Sequence, residues 1–180
     1  MSQVAQLTMP KVRIRRRRPH DLAACRRLLG LVAMEGDYPL PKPASLRDWV
    51  SDREIMDAWI AEREGEVLGH LALIQVGSDA VSAMRWREVT GRPVTELVGI
   101  SRFFVRSSAR GHGIGSSLLQ SAVTEARDRG LLPVAEMMSP SREGVRLYEK
   151  QGWRLAEMYP TGPRTAPLEA YMYVLPAPHR

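Results

Sequence analysis

The chain has 180 residues, 44% of them hydrophobic, which is long enough for one well-filled core but short for two. We expect a single domain over residues 11–180 and a disordered N-terminus over the polar residues 1–10. No segment has the apolar length of a signal peptide core or a membrane span, and the single Cys25 excludes an internal disulfide and offers no metal cluster. These features predict a cytoplasmic protein that binds neither a membrane nor a metal.

The net charge of +6 raises the question of a nucleic-acid partner. Of the 26 basic residues, 23 are arginines, and apart from the run Arg15–Arg18 they are scattered along the chain. They do not alternate with aromatic residues, as a surface that stacks bases requires. We therefore expect no nucleic-acid partner, and the sequence leaves the role of the arginine run open.

Hydrophobic periodicity and its interruptions predict the elements of the first half of the chain. Asp21 precedes a helix with apolar residues at helical spacing, Ser45 precedes a short helix around Trp49, and both side chains suit an N-cap. Residues 35–43, "EGDYPLPKP", are predicted to be a loop. Strands are predicted over residues 11–17, 55–63 and 67–76, with a hairpin turn at residues 64–66.

The second half begins with a predicted helix over residues 79–89 and a strand over residues 96–105. A strongly amphipathic helix then spans Ser116–Arg129 and ends at Gly130. The remaining predicted elements are a buried strand over residues 133–138, a helix over residues 141–151 capped by Ser141, and strands over residues 153–158 and 168–174. This order implies an α/β fold with a mixed sheet and helices on both faces.

Three alternating glycines, "GHGIG" at residues 111–115, stand just before that amphipathic helix. A glycine turn between a strand and a helix presents unpaired N–H groups and the positive end of the helix dipole, so it predicts a site for an anion such as a phosphate. A Walker loop would need a lysine where Ser116 stands, and a dinucleotide fingerprint would need the spacing G-x-G-x-x-G. Neither motif fits.

The segment Arg110-Gly111-His112-Gly113-Ile114-Gly115, the preceding strand "RFFV" and the later "LYEKQGW" together resemble the GNAT superfamily of acyl-CoA-dependent N-acetyltransferases. The resemblance covers roughly residues 57–153. It implies a largely antiparallel central sheet of six to seven strands, acetyl-CoA as the acetyl donor and an amine as the acceptor. Dimers are common in the superfamily, so the resemblance also implies a homodimer.

The resemblance implies which residues bind the donor. The backbone of Phe103, Phe104 and Val105 would bind the pantetheine arm, and Ser141 stands where the family often has an asparagine that hydrogen-bonds the coenzyme. Arg110, or the neighbouring Arg106, would add a charge-assisted contact to phosphate. The pyrophosphate would lie against backbone N–H groups of Arg110, Gly111, His112, Gly113, Ile114, Gly115 and Ser116.

Acetyl transfer to an amine needs a base that keeps the amine neutral and an acid that donates a proton to the leaving thiolate. By resemblance Tyr148 is the acid, because the ordinary pKa of a tyrosine, about 10, lies above the ~8.5 of a thiol. Glu136, on the strand before that helix, is the predicted base. Glu96 or a chain of waters remains an alternative.

The acceptor would be a primary amine of a small molecule or of a peptide or protein N-terminus, which attacks directly in a ternary complex. Family members select it with segments that correspond here to residues 36–43, Trp49 and residues 78–94. Met84 and Trp86 in the last segment suggest a partly apolar pocket, unless both tryptophans are core residues. A function from another class, a non-catalytic coenzyme A-binding module or a basic regulatory domain that binds nucleic acid, stays open.

Overall fold

The computed structural model describes residues 11–36, 38–77 and 79–177, so the predicted disorder of residues 1–10 lies outside the described residues. Within these ranges the strands are β1 Arg13–Arg16, β2 Ile55–Arg63, β3 Glu66–Ile74, β4 Leu97–Val105, β5 Leu132–Met138, β6 Arg154–Thr161 and β7 Leu168–Val174. The α-helices are α1 Leu22–Glu35, α2 Leu46–Trp49, α3 Ala80–Thr90, α4 Ile114–Asp128 and α5 Arg142–Lys150. Short 3₁₀ turns span Pro19–Asp21, Val94–Glu96 and Ser107–Ala109.

Each predicted helix and strand occurs, and short polar side chains cap three of the helices, two of them at the predicted residues Ser45 and Ser141. Ser45 Oγ accepts the N–H of Asp48 at 3.2 Å, and Ser141 Oγ accepts that of Gly144 at 3.1 Å. Asp79 caps α3 in the same way. These bonds satisfy N–H groups that a helix leaves unpaired at its first turn.

The N-cap predicted at Asp21 is wrong in its contacts, although α1 does begin at the next residue. The buried carboxylate accepts two hydrogen bonds from the Arg15 guanidinium, at 2.7 and 2.9 Å, and one from the N–H of Arg18 at 2.6 Å. The 3₁₀ turn Pro19–Asp21 aims the side chain back at β1. A charged donor binds a carboxylate more strongly than a neutral helix N–H, so Asp21 joins β1 to α1 rather than capping the helix.

The seven strands form one sheet in the order β1-β2-β3-β4-β5-β7-β6. Only β4 and β5 pair in parallel, and the other neighbours are antiparallel. The mixed, largely antiparallel sheet predicted from the resemblance is therefore confirmed.

Helices cover both faces because side chains on the long strands alternate between two cores. On β2, Ala61 packs in a core with Leu118 of α4, while its neighbour Ile60 packs in a second core with Cys25 of α1. A third core on the α1 face holds Trp86 of α3. We call the two sides the α4 face and the α1 face.

The parallel pair β4–β5 separates halfway along its length. Its ladder ends at the pair Ile100 and Ala135, while β4 continues to Val105 and β5 to Met138. Beyond that point β4 pairs only with β3, and β5 pairs only with β7. The facing edges of the two strands therefore leave a gap in the middle of the sheet.

Candidate active site

A β-bulge shapes the β4 side of this gap. His70 of β3 pairs with Phe104 and Ala72 pairs with Ser101, so two residues of β4, Arg102 and Phe103, lie opposite one residue of β3. Arg102 has a φ of 48°, a backbone conformation uncommon for a residue other than glycine. Below the bulge the N–H of Arg106 donates to β3, at Leu68 O. Alternation counted back from Arg106 predicts that the N–H groups of Val105 and Phe103 point toward the gap, where the backbone of Phe103 contacts the Tyr38 hydroxyl.

The predicted glycine loop lies where the gap opens on the α4 face. Gly111 and Gly113 have φ of 77° and 79°, and a Cβ atom at either would meet no atom within 4 Å, so the loop is open on its outer side. Gly113 precedes α4, whose first turn has no side-chain cap and no acidic residue. The first N–H groups of the helix are therefore available to an anion, which fits a pyrophosphate.

Gly115 has a different role from the other two glycines. A Cβ atom there would lie 3.3 Å from Leu147 Cδ2 and 3.5 Å from Phe103 Cζ. The missing side chain lets α4 pack closely against α5 and β4. Ile114 is buried in the core, and Ser116 is half-buried beside it.

The two arginines predicted to contact phosphate differ in their partners. Arg110 is exposed, and its Nε donates to the carbonyl of Val105 at 3.1 Å, which holds the guanidinium at the end of β4 beside the loop. Arg106 forms an ion pair with Glu66 instead. His112 is exposed, and its Nδ1 lies 2.8 Å from Arg110 O.

Tyr148 projects from α5 into the core on the α4 face and is 4% exposed. Its ring contacts those of Phe103, Trp153 and Tyr173, at centroid distances of 6.3, 5.0 and 5.8 Å. Burial raises the pKa of Tyr148, and the nearby hydroxyl of Tyr38 raises it further. The hydroxyl is therefore a proton donor throughout the neutral range.

Glu136 lies at the same gap on the α1 face, because its neighbours Ala135 and Met137 point into the core of the α4 face. It is half-buried, and its Oε1 accepts a hydrogen bond from the hydroxyl of Tyr159 on β6. Burial raises the pKa of Tyr159, and the bond to the carboxylate raises it further, so Tyr159 stays a donor. The guanidinium of Arg85 lies 3.9 Å from the centre of the Tyr159 ring.

The other residues that the sequence suggested as a base or as part of the acceptor pocket lie away from the gap or pack in the core. Glu96 is exposed at the opposite, paired end of β4 and lies 3.6 Å from Arg92. Trp86 is a core residue, whereas Met84 is exposed. Trp49 is half-buried beside Tyr38 and Arg102. Ser78, the first residue of the predicted acceptor segment 78–94, lies outside the described residues.

A model of the acetyltransferase (GNAT) family matches residues 22–153, a span that contains the glycine loop and Tyr148. The chain belongs to the GNAT acetyltransferase family. It is accordingly an acyltransferase that uses acetyl-CoA as its donor. No curated protein matches the sequence significantly.

Solved structures share the GNAT fold at low sequence identity. An N-acetyltransferase from Staphylococcus aureus Mu50 is 22% identical with a TM-score of 0.71, over 92% of this chain and 98% of that one. A ribosomal-protein-alanine N-acetyltransferase from Brucella melitensis is 21% identical with a TM-score of 0.69, over 90% and 98%. A GNAT family acetyltransferase from Brucella melitensis in complex with acetyl-CoA is 19% identical with a TM-score of 0.63, over 94% and 91%.

The structure of this GNAT enzyme adds residues at the gap that the sequence reasoning missed. Tyr38, in the predicted acceptor loop, places its hydroxyl against the backbone of Phe103; burial raises its pKa, and the contact with Phe103 acts in the opposite direction. Tyr159 holds Glu136, and His70 and Arg102 shape the bulge. A local sequence signal could have found only Tyr38, an aromatic residue in a proline-rich loop.

Three of the four arginines in the run Arg15–Arg18 have side-chain partners within the GNAT domain. Arg15 pairs with Asp21 and Glu62, and Arg16 pairs with Asp57 and Glu125. Arg17 is half-buried, and its Nη1 donates to the carbonyl oxygen of Val50 at 2.6 Å. Within residues 11–36, 38–77 and 79–177, no three potential ligands are grouped to hold a metal ion, and no helix is long and apolar enough to span a bilayer.

Proposed function

We propose that this enzyme transfers the acetyl group of acetyl-CoA to a primary amine, on a small molecule or a peptide N-terminus, by direct attack in the gap between β4 and β5. The observation that carries the proposal is the placement of Glu136 and Tyr148 on opposite faces of the sheet at that gap. A base on the α1 face and an acid on the α4 face suit an amine that arrives from one side and a thiolate that leaves on the other.

Each residue at the gap has a defined task in this scheme. Bound acetyl-CoA supplies a thioester carbonyl as the electrophile. Glu136 takes the proton of the attacking amine, directly or through a water, with the carboxylate oxygen that Tyr159 does not bind. The N–H of Phe103, which contacts the Tyr38 hydroxyl in the structure, would pass to the acyl oxygen, where negative charge develops. Tyr148 donates its phenolic proton toward the departing sulfur.

The glycine loop supports the donor half of the proposal. Left-handed Gly111 and Gly113 open the loop, and the uncapped first turn of α4 points at the space beside it. Arg110, held by Val105 O, adds a cation at the same place. The phosphates would be bound by backbone N–H groups and by Arg110 rather than by Arg106, which Glu66 already engages.

The test is release of free coenzyme A thiol from acetyl-CoA, measured against a panel of small primary amines and N-terminal peptides. We expect at least one amine to accelerate release well above hydrolysis, and expect Glu136→Gln to lower that rate about a hundredfold. If no amine on a broad panel accelerates release although acetyl-CoA binds, the catalytic proposal fails. A non-catalytic coenzyme A-binding module would then be the better reading.

The basic regulatory alternative has less support in the fold. A nucleic-acid surface needs arginines that can reach phosphates, and Arg15, Arg16 and Arg17 all contact groups of their own chain.

A further inference from the structure

A buried histidine that the proposed chemistry does not use lies directly behind the β4 bulge. His70 on β3 is 0% exposed, and its ring stacks on that of Phe104 at 5.1 Å. Its Nδ1 lies 2.7 Å from the carbonyl oxygen of Arg102, and its Nε2 lies 2.9 Å from Nη1 of Arg17. A guanidinium can only donate, so Nε2 must accept, and Nδ1 must carry the proton that reaches the carbonyl.

The bulge needs this hydrogen bond. Because Arg102 and Phe103 lie opposite a single β3 residue, the strand ladder cannot satisfy every backbone group there. A buried carbonyl without a donor is unfavourable, and His70 supplies the donor from the neighbouring strand. The φ of 48° at Arg102 is a second reason why the bulge requires this hydrogen bond, because an unfavourable backbone conformation persists only where surrounding contacts stabilise it.

The side chain of Arg102 holds the bulge from the α1 face. Its Nε donates to Trp49 O at 3.3 Å and its Nη1 to Ser101 Oγ at 2.9 Å. Its Nη2 lies 3.4 Å from Asp52 and 3.5 Å from Glu54. The bulge is thus anchored through its side chain to α2 and the following loop, and through its carbonyl to β3.

We propose that His70 is a positioning residue for the donor: by holding the Arg102 carbonyl it fixes the bulge that turns the N–H of Phe103 into the gap. The inference rests on the proposed function, which assigns that N–H to the acyl oxygen. His70 touches neither reacting group and acts only through the backbone. Small displacements of such a group cost up to about a hundredfold in rate.

Arg17 completes the arrangement and keeps His70 uncharged. Its Nη1 also donates to Val50 O at 2.6 Å, so the guanidinium joins β1 to the end of α2. Burial, with a smaller contribution from the charges of Arg17 and Arg102, lowers the pKa of His70 to about 3 against the opposing effect of the carbonyl bond. His70 therefore remains a neutral donor throughout the working range and does not serve as an acid or base.

Three variants separate positioning from packing. His70→Leu removes the N–H and keeps apolar volume, while His70→Asn retains an N–H at the δ position that can reach the same carbonyl. Ile60→Ala, at the cross-strand neighbour of His70 in β2, truncates the same core without touching the bulge. Acetyl-CoA affinity is measured by calorimetry at a temperature where circular dichroism finds all three folded, and kcat/KM is measured with the best amine.

We expect His70→Leu to bind acetyl-CoA about tenfold more weakly or worse, and His70→Asn and Ile60→Ala to stay within about threefold of the wild type. The inference is overturned if His70→Leu binds acetyl-CoA with wild-type affinity, or if Ile60→Ala loses as much affinity as His70→Leu. Either result leaves the proposed function standing. Absence of acetyl-CoA binding by the wild type overturns both.

The tautomer provides a test that needs no variant to fold. A long-range ¹H–¹⁵N spectrum of the wild-type protein between pH 5 and 8 is expected to place the His70 proton on Nδ1, with Nε2 unprotonated. A proton on Nε2 would contradict the proposed hydrogen bond to Arg102.

Discussion

At the scale of single residues, the Tyr148 hydroxyl is positioned by the packing of its own ring. Three aromatic neighbours fix the ring, so its direction does not depend on a hydrogen bond from the hydroxyl. Burial raises the pKa of this tyrosine, which favours the protonated form that an acid requires. Removing the oxygen should therefore change the chemistry and leave the packing intact.

Tyr148→Phe is expected to lower turnover about tenfold or more, with acetyl-CoA affinity within about twofold of the wild type. Steady-state rates and calorimetry measure the two quantities. Tyr173→Phe is the matched control, because it removes a hydroxyl from a buried ring in the same cluster, 5.8 Å from Tyr148. Equal turnover of the two variants would remove Tyr148 from the mechanism.

The residues of the candidate site are of two kinds: those that belong to a local sequence motif, and those whose contact partners are distant in the sequence. Tyr148 and the glycine loop belong to local motifs, so the sequence alone predicted them. The partners that orient the site are distant: His70 binds the carbonyl of a residue 32 positions away, and Tyr159 binds Glu136 across 23 positions. No local pattern encodes such contacts, because they appear only when the strands pair.

At the scale of elements, the glycine loop and α4 together form the predicted phosphate site. Gly113→Asp places a carboxylate before the first turn of α4, where it would cap free N–H groups and repel a pyrophosphate. We expect acetyl-CoA binding to weaken more than about tenfold, measured by calorimetry on folded protein. Gly113→Asn, which lacks the charge and tolerates a left-handed backbone, should lose less.

Gly130→Asp is the matched control at the other end of α4. Gly130 and Gly113 have similar φ, 70° and 79°, and in both a Cβ atom would meet nothing within 4 Å. An acidic residue is less favourable at a helix C-terminus than at its start, so Gly130→Asp should lose more stability yet keep its affinity. The assignment of the loop would be wrong if Gly113→Asp bound acetyl-CoA normally.

The sequence predicted the helices and strands whose ends are marked by caps, turns or hydrophobic periodicity. It did not predict the contacts made between one element and another. Serine caps, the Glu64–Gly65 turn and the period of α4 mark their own boundaries. Asp21 shows the limit, because it stands where a cap belongs but binds Arg15 of another element. The gap and the bulge likewise depend on which strands pair and in what register, which the order of elements alone does not determine.

At the scale of the whole molecule, buried and paired ionisable groups make stability depend on pH in separate windows. His70 has a pKa of about 3 in the folded protein against an ordinary 6.5, so only the unfolded chain takes up a proton between these values. Hydrogen bonds from Arg15 lower the pKa of Asp21 to about 2, against an ordinary 3.8. The same guanidinium lowers the pKa of Glu62 below an ordinary 4.5.

Both kinds of group stabilise the fold above their ordinary pKa, and the stabilisation is lost as the pH falls toward the folded value. The stabilisation from His70 begins to be lost as the pH falls through 6.5, whereas the stabilisation from the carboxylates begins to be lost only below pH 4.5. Between pH 6.5 and 4.5 the free energy of unfolding should therefore fall by about 1.4 kcal/mol per pH unit, the amount expected for one proton.

Urea denaturation of the wild type and of His70→Asn at pH 7.5, 6.5, 5.5 and 4.5 measures that slope. The variant should be nearly flat over the range, whatever its absolute stability, because it lacks the group that titrates. The other three histidines are common to both proteins, so the comparison isolates His70. An equal slope in the two proteins would mean that His70 is not the neutral, buried group that holds the Arg102 carbonyl.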